Sequence, residues 1–139
     1  MKVLFLCTGN ACRSQMAEGW ANHLKSDCID AYSAGVRPIG VSPRAIKTMA
    51  EAGVDISTHT SKHIDALSMI DFDYVITLCD NAAKNCPVIH GKVNIIHKPF
   101  RDPYFATGSE ERISREFSKT RDKIKVFIET LPQSLQAVE

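Results

Sequence analysis

Four apolar residues, Val3-Leu4-Phe5-Leu6, run straight into Cys7-Thr8-Gly9-Asn10-Ala11-Cys12-Arg13-Ser14. A helical pattern follows at once, with Met16, Ala17, Trp20, Ala21 and Leu24 on one face. The apolar run reads as a buried strand and the spacing behind the loop as an amphipathic helix. Strand, tight loop and helix in that order constrain the chain more than any other feature, because they open a βαβ unit of a parallel sheet. Gly9 and Asn10 tolerate positive φ, which a loop pointing successive N–H groups inward needs. At a helix N-terminus such a loop wraps one tetrahedral oxyanion, and Arg13 can grip two of its oxygens. The same field lowers the pKa of Cys7 and makes it a thiolate nucleophile, while Ser14 can donate a hydrogen bond to the sulfur. The expected anion ligands are Thr8, Gly9, Asn10, Ala11, Cys12, Arg13 and Ser14, with Cys7 and Arg13 carrying chemistry at phosphorus or a close analogue.

The pattern continues as strands alternating with helices. Ala31-Tyr32-Ser33-Ala34-Gly35 reads as a second strand, and Ser42-Pro43 opens a helix that Gly53 ends. Thr60 or Ser61 is expected to cap a short helix through Leu67. Tyr74-Val75-Ile76-Thr77-Leu78 reads as a third strand, covered on both faces, and Val93-Asn94-Ile95-Ile96 as a fourth. Thr107-x-x-Glu110 fits a capping box for a last helix whose buried stripe is Ile113, Phe117, Ile124, Phe127, Ile128 and Leu131. Pro132 stops it, and residues 132–139 are expected to fray. The prediction is a single α/β domain over 1–139, a four-stranded parallel sheet with helices on both faces. Ligands of such sheets bind beyond the carboxyl ends of the strands. Cys7 and Cys79 both stand just past such an end, so neighbouring first and third strands would turn both sulfurs to one crevice. Asp102-Pro103 follows the fourth strand on the same side, where an aspartate could serve as general acid or simply form a turn.

Composition narrows the function. The chain has 139 residues, 44% of them hydrophobic, enough for one core. A formal net charge of +1 argues against a broad nucleic-acid surface. No apolar run reaches membrane-span length, and no signal-peptide pattern precedes the loop, so a cytoplasmic location is expected. Five cysteines, Cys7, Cys12, Cys28, Cys79 and Cys86, form no C-x-x-C pair, and the histidines complete no zinc spacing. Nucleophilic or redox thiol chemistry remains the best account of them.

Several separated segments carry a family likeness. They are residues 7–20 (CTGNACRSQMAEGW), 32–35 (YSAG), Asp55-Ile56-Ser57 with Thr60-Ser61, and 75–87 (VITLCDNAAKNCP). On these the chain resembles the low-molecular-weight protein tyrosine phosphatase superfamily and, within it, the thioredoxin-coupled arsenate reductases. The cysteine pair in 75–87 discriminates, since the phosphatases lack it. The resemblance implies that Cys7 attacks arsenate and that Asp102 protonates the leaving oxygen. Cys79 would then attack the Cys7–arsenic adduct, and Cys86 would free Cys7 by forming Cys79–Cys86 for thioredoxin to reduce. It also implies no tightly bound cofactor, a monomer, and weak residual phosphatase activity. Phosphomonoester hydrolysis through a Cys7 phosphocysteine is the alternative. Some relatives bind potassium through an Asn, a Glu, a Ser and an Asp. Asn10, Glu18 and Ser33 match, but Lys62 replaces the Asp, which argues against potassium and leaves an ammonium to reach the same oxygens. If residues 80–86 were helical, seven residues would rise ~10.5 Å. A disulfide needs Cα atoms within roughly 7 Å, so the Cys79–Cys86 bond requires that segment to rearrange.

Overall fold

A computed structural model describes residues 1–78 and 93–136. β1 (Lys2–Cys7), β2 (Asp30–Gly35), β3 (Tyr74–Thr77) and β4 (Asn94–His97) form one sheet in the order β2-β1-β3-β4. Every pairing is parallel, with Val3 opposite Ala31 on one side and Tyr74 on the other. Successive strand residues face opposite sides, and Val3, Leu4, Phe5 and Leu6 are all 0% exposed, so both faces of the central strand are covered. The predicted sheet is therefore the observed one, with first and third strands adjacent.

Among the described residues three main helices accompany it: α1 (Arg13–Leu24), α2 (Pro43–Glu51) and α3 (Glu110–Glu129). Ser42 caps α2 by accepting from the Ala45 N–H, with Pro43 in the first turn, and Gly53 takes φ +83 just after it. α1 packs on α3, where Trp20 Nε1–H donates to the Arg121 carbonyl at 3.1 Å. Phe117, Ile124 and Ile128 of α3 are buried as the helical stripe predicts, together with Leu131, whereas Ile113 and Phe127 are only partly buried.

Three expectations change. The turn Ile64–Leu67 is a 3-10 helix capped by His63, whose Nδ1 accepts from the Asp65 N–H; Ser61 Oγ donates to the Gly9 carbonyl instead, and the Thr60 carbonyl accepts from Gln15 and Lys62. Ser109 rather than Thr107 caps α3, accepting from the Arg112 N–H at 3.2 Å, because Gly108 at φ +111 delays the helix start. After Pro132, where fraying is expected, a further helical turn Gln133–Gln136 buries Leu135.

Candidate active site

Among the described residues, the parallel sheet brings three loops to its carboxyl end. β1 delivers Cys7, 2% exposed, and α1 begins at Arg13, 7% exposed, with residues 8–12 turning between them. Cys12 is the α1 cap residue but makes no side-chain cap bond, so the helix N-terminus presents its N–H groups and partial positive charge to the loop. The left-handed residue of this loop is Asn10, φ 48, not Gly9. Gly9 serves another purpose: a Cβ there would meet Ile39 Cγ1 at 3.1 Å. Gly35, ending β2, is needed for close approach, since its Cβ would lie 2.7 Å from the Thr8 carbonyl oxygen and 2.9 Å from the Asn10 nitrogen.

Asn10 organises the sulfur. The Lys62 backbone N–H, which can only donate, bonds Asn10 Oδ1 at 2.9 Å. That turns Asn10 Nδ2 to donate to Ser14 Oγ at 2.8 Å. Ser14 accepts there and keeps its own proton for Cys7 Sγ, 2.9 Å away. A hydroxyl donating to sulfur favours the thiolate. Cys12, in contrast, is pushed up to about 12, first by burial and next by the nearby Asp102 charge. It stays a thiol at ordinary pH and is no nucleophile.

The loop after β4 folds along the end of β3, with the Lys98 N–H on the Thr77 carbonyl and the Phe100 N–H on the Leu78 carbonyl. It thereby carries Asp102 to Arg13: the guanidinium donates to Asp102 Oδ2 at 3.1 Å and to the Phe100 carbonyl at 3.0 Å. Asp102 also accepts from the Tyr104 N–H and caps the 3-10 turn Pro103–Phe105, so its turn-forming and site-lining positions coincide. The resulting cavity, about 210 Å³, is lined by Cys7, the loop, Arg13 and Asp102, with Arg37, Ile39, Tyr104 and Phe105 at its rim. Tyr104 and Phe105 meet edge to face at 5.2 Å.

Residues 2–139 match the model of the low molecular weight phosphotyrosine protein phosphatase family. The chain belongs to that family. Among its relatives, an arsenate reductase of Bacillus licheniformis is 48% identical over 132 residues, covering 92% of this chain and 95% of the relative. Arsenate reductase 2 of Staphylococcus epidermidis is 45% identical over 128 residues, 92% of this chain and 93% of its own. An arsenate reductase solved in its reduced state superimposes with TM-score 0.74 at 34% identity, covering 96% of this chain and 98% of that one. Another, in its phosphate-binding state, gives 0.71 at 32% identity, covering 94% and 95%.

Of the residues expected to act in this phosphatase-family site, the structure brings together Cys7, Arg13, Ser14 and Asp102 with the 8–12 loop. Cys79 and Cys86 lie outside the described residues. Sequence reasoning missed a supporting layer. Gln15, 0% exposed, donates to the Asn10 and Thr60 carbonyls and lies 3.0 Å from His59 Nδ1, which also stands 3.3 Å from Glu18. Ser61 Oγ donates to the Gly9 carbonyl. These bonds join segments 45 and 52 residues apart, and no spacing rule connects them.

Proposed function

We propose that the protein reduces arsenate to arsenite. The observation that carries this reading is the Cys7 sulfur beneath an Arg13-flanked oxyanion loop, in a chain 45% and 48% identical to bacterial arsenate reductases over nearly its whole length. Arsenate enters with its oxygens on the loop N–H groups and on Arg13. Cys7 thiolate attacks arsenic, and Asp102, which lines the same cavity, protonates the departing oxygen as water. Two electrons must then reach arsenic. Cys79 attacks the Cys7 sulfur, the sulfur–arsenic bond breaks, arsenic leaves as arsenite with the electron pair, and a Cys7–Cys79 disulfide remains. Cys86 attacks Cys79 and releases Cys7, and thioredoxin reduces Cys79–Cys86 by exchange. The adjacency of β1 and β3 supports this relay. The Leu78 N–H donates to the Leu6 carbonyl at 2.8 Å, so the residue before Cys79 is bonded to the residue before Cys7.

No resident cofactor enters the proposed chemistry. The residues present do not fit a potassium ion: Lys62 Nζ itself donates to the Ser33 carbonyl at 3.1 Å and the Thr60 carbonyl at 2.9 Å. An ammonium bonded to both carbonyls repels a second cation. Among the described residues no helix is long and apolar enough to cross a membrane. A cytoplasmic monomer is the form in which we expect the protein to work, because a thiol relay needs a reducing compartment. The aromatic edges of Tyr104 and Phe105 at the cavity rim favour weak hydrolysis of aryl phosphates as a side activity.

The test is arsenate-dependent NADPH oxidation coupled through thioredoxin and its reductase. Wild type turns over, and Cys7→Ser does not. Cys86→Ser releases arsenite once and stops, and Cys79→Ser releases none. Undiminished arsenite release from Cys79→Ser would exclude the relay. Aryl phosphate hydrolysis without arsenite formation would leave the phosphatase reading.

A further inference from the structure

The cavity has a second cation besides Arg13, and its placement is specific. The segment following Gly35 runs beside the anion loop: the Arg37 N–H bonds the Thr8 carbonyl at 2.8 Å, the Ile39 N–H bonds the Gly9 carbonyl at 3.0 Å, and the Ser42 N–H bonds the Ala11 carbonyl at 3.0 Å. Pro38 follows Arg37 and disfavours a helical backbone at it. Arg37 is thus fixed alongside Thr8, and it lines the same cavity as Cys7 and Arg13. It is exposed and forms no ion pair among the described residues, whereas Arg13 is already engaged by Asp102 and the Phe100 carbonyl. Charge makes the difference matter. With Asp102 carrying the proton it later donates, the Cys7 thiolate offsets the Arg13 guanidinium, so those groups together offer a dianion no net attraction. Arg37 adds the positive charge at the mouth that draws it in.

We infer that Arg37 is a substrate-capture residue that draws the incoming dianion to the rim and hands it to the Arg13 loop. The inference rests on the arsenate reading for its kinetic test, though not for its binding test. Electrostatic capture raises association by 10- to 1000-fold and fades with salt, so removing one rim cation is expected to cost about tenfold.

The experiment compares wild type, Arg37→Gln, Arg37→Lys and Lys119→Gln, the last removing one exposed charge that does not line the cavity. Two readouts are taken across a series of ionic strengths: kcat and kcat/KM for arsenate, and the affinity for inorganic phosphate by titration calorimetry. Arg37→Gln is expected to lower kcat/KM about tenfold at low salt and to weaken phosphate binding in parallel. The loss falls on KM rather than kcat and shrinks as salt rises. Arg37→Lys keeps most of the wild-type values, and Lys119→Gln matches wild type. Equal kcat/KM and phosphate affinity in wild type and Arg37→Gln would overturn the inference. So would a loss independent of salt that lysine fails to restore, since that is packing and not charge. If wild type forms no arsenite yet binds phosphate in an Arg37-dependent manner, the reductase reading fails and the capture role stands.

Discussion

Lys62 acts twice at one position. Its backbone N–H fixes the Asn10 amide, and through Asn10 and Ser14 the donor that faces Cys7. Its Nζ ties the Ser33 and Thr60 carbonyls, on β2 and on the segment that also receives Gln15. The two functions separate by mutation, because a side-chain change leaves the backbone donor in place. Lys62→Met is expected to cost about 1 kcal/mol of stability, the ordinary worth of a partly solvated hydrogen-bonded tie. Wild-type turnover should be the same in potassium and sodium salts. A several-fold rise specific to potassium would show that an ion, not Lys62, supplies the charge. That residue-level substitution was visible in the sequence only as a departure from a family pattern. Which oxygens the ammonium reaches was not.

At the scale of elements, the site is a meeting of ends. β1 stops at Cys7, α1 starts at Arg13, β2 stops at Gly35, and the β4 loop returns with Asp102. Strand–loop–helix order was legible because apolar periodicity and the Gly9-Asn10 turn are local signals. Gly35 was legible only as a strand end, since the reason for glycine lies across the sheet in Thr8 and Asn10. Gly35→Ala puts a Cβ 2.7 Å from the Thr8 carbonyl oxygen, a distance at which backbone must move. Misplacing the anion loop by about 1 Å is expected to cost on the order of 100-fold in kcat/KM. Ser42→Ala offers the contrast: loss of the α2 cap costs about 1 kcal/mol of stability while the rim stays in place through the backbone bonds of residues 37 and 39. Equal kinetic losses in the two variants would mean that global stability, not loop position, governs both. The misread helix starts at Thr107 and at Thr60 or Ser61 share a cause. Several capping residues stood close together, and the backbone beyond them chose among equals.

The whole molecule responds to pH through a group that does no chemistry. Cys12 is buried against α1 and its pKa rises from 9.0 to about 12, chiefly by desolvation. Between those values the unfolded chain has lost the proton and the folded chain keeps it. The unfolded state binds fewer protons there, so stability falls as pH rises through that window and is unaffected below 9.0. Urea midpoints measured at increasing alkaline pH should therefore drop more steeply for wild type than for Cys12→Ala. Parallel curves would mean that other groups control the alkaline limb. Cys7 and Cys12, five residues apart, are equally buried, so burial does not separate them; the Cys7 sulfur lies on the Ser14 hydroxyl, whereas at Cys12 desolvation and the Asp102 charge outweigh the hydrogen bond to Ser42.

From the order of its residues alone, the chain determined a parallel sheet, a tight turn at a helix start, and the cysteine at the strand end in front of that turn. Those depend on neighbours within a few residues, where periodicity and backbone preference act. Only the folded arrangement decided that Asp102 meets Arg13, that Lys62 settles the Asn10 amide, and that Arg37 and Ile39 border the cavity. Each of these joins segments far apart in the chain. Contacts of that kind exist only once parallel strands bring their carboxyl ends together, so no local pattern encodes them.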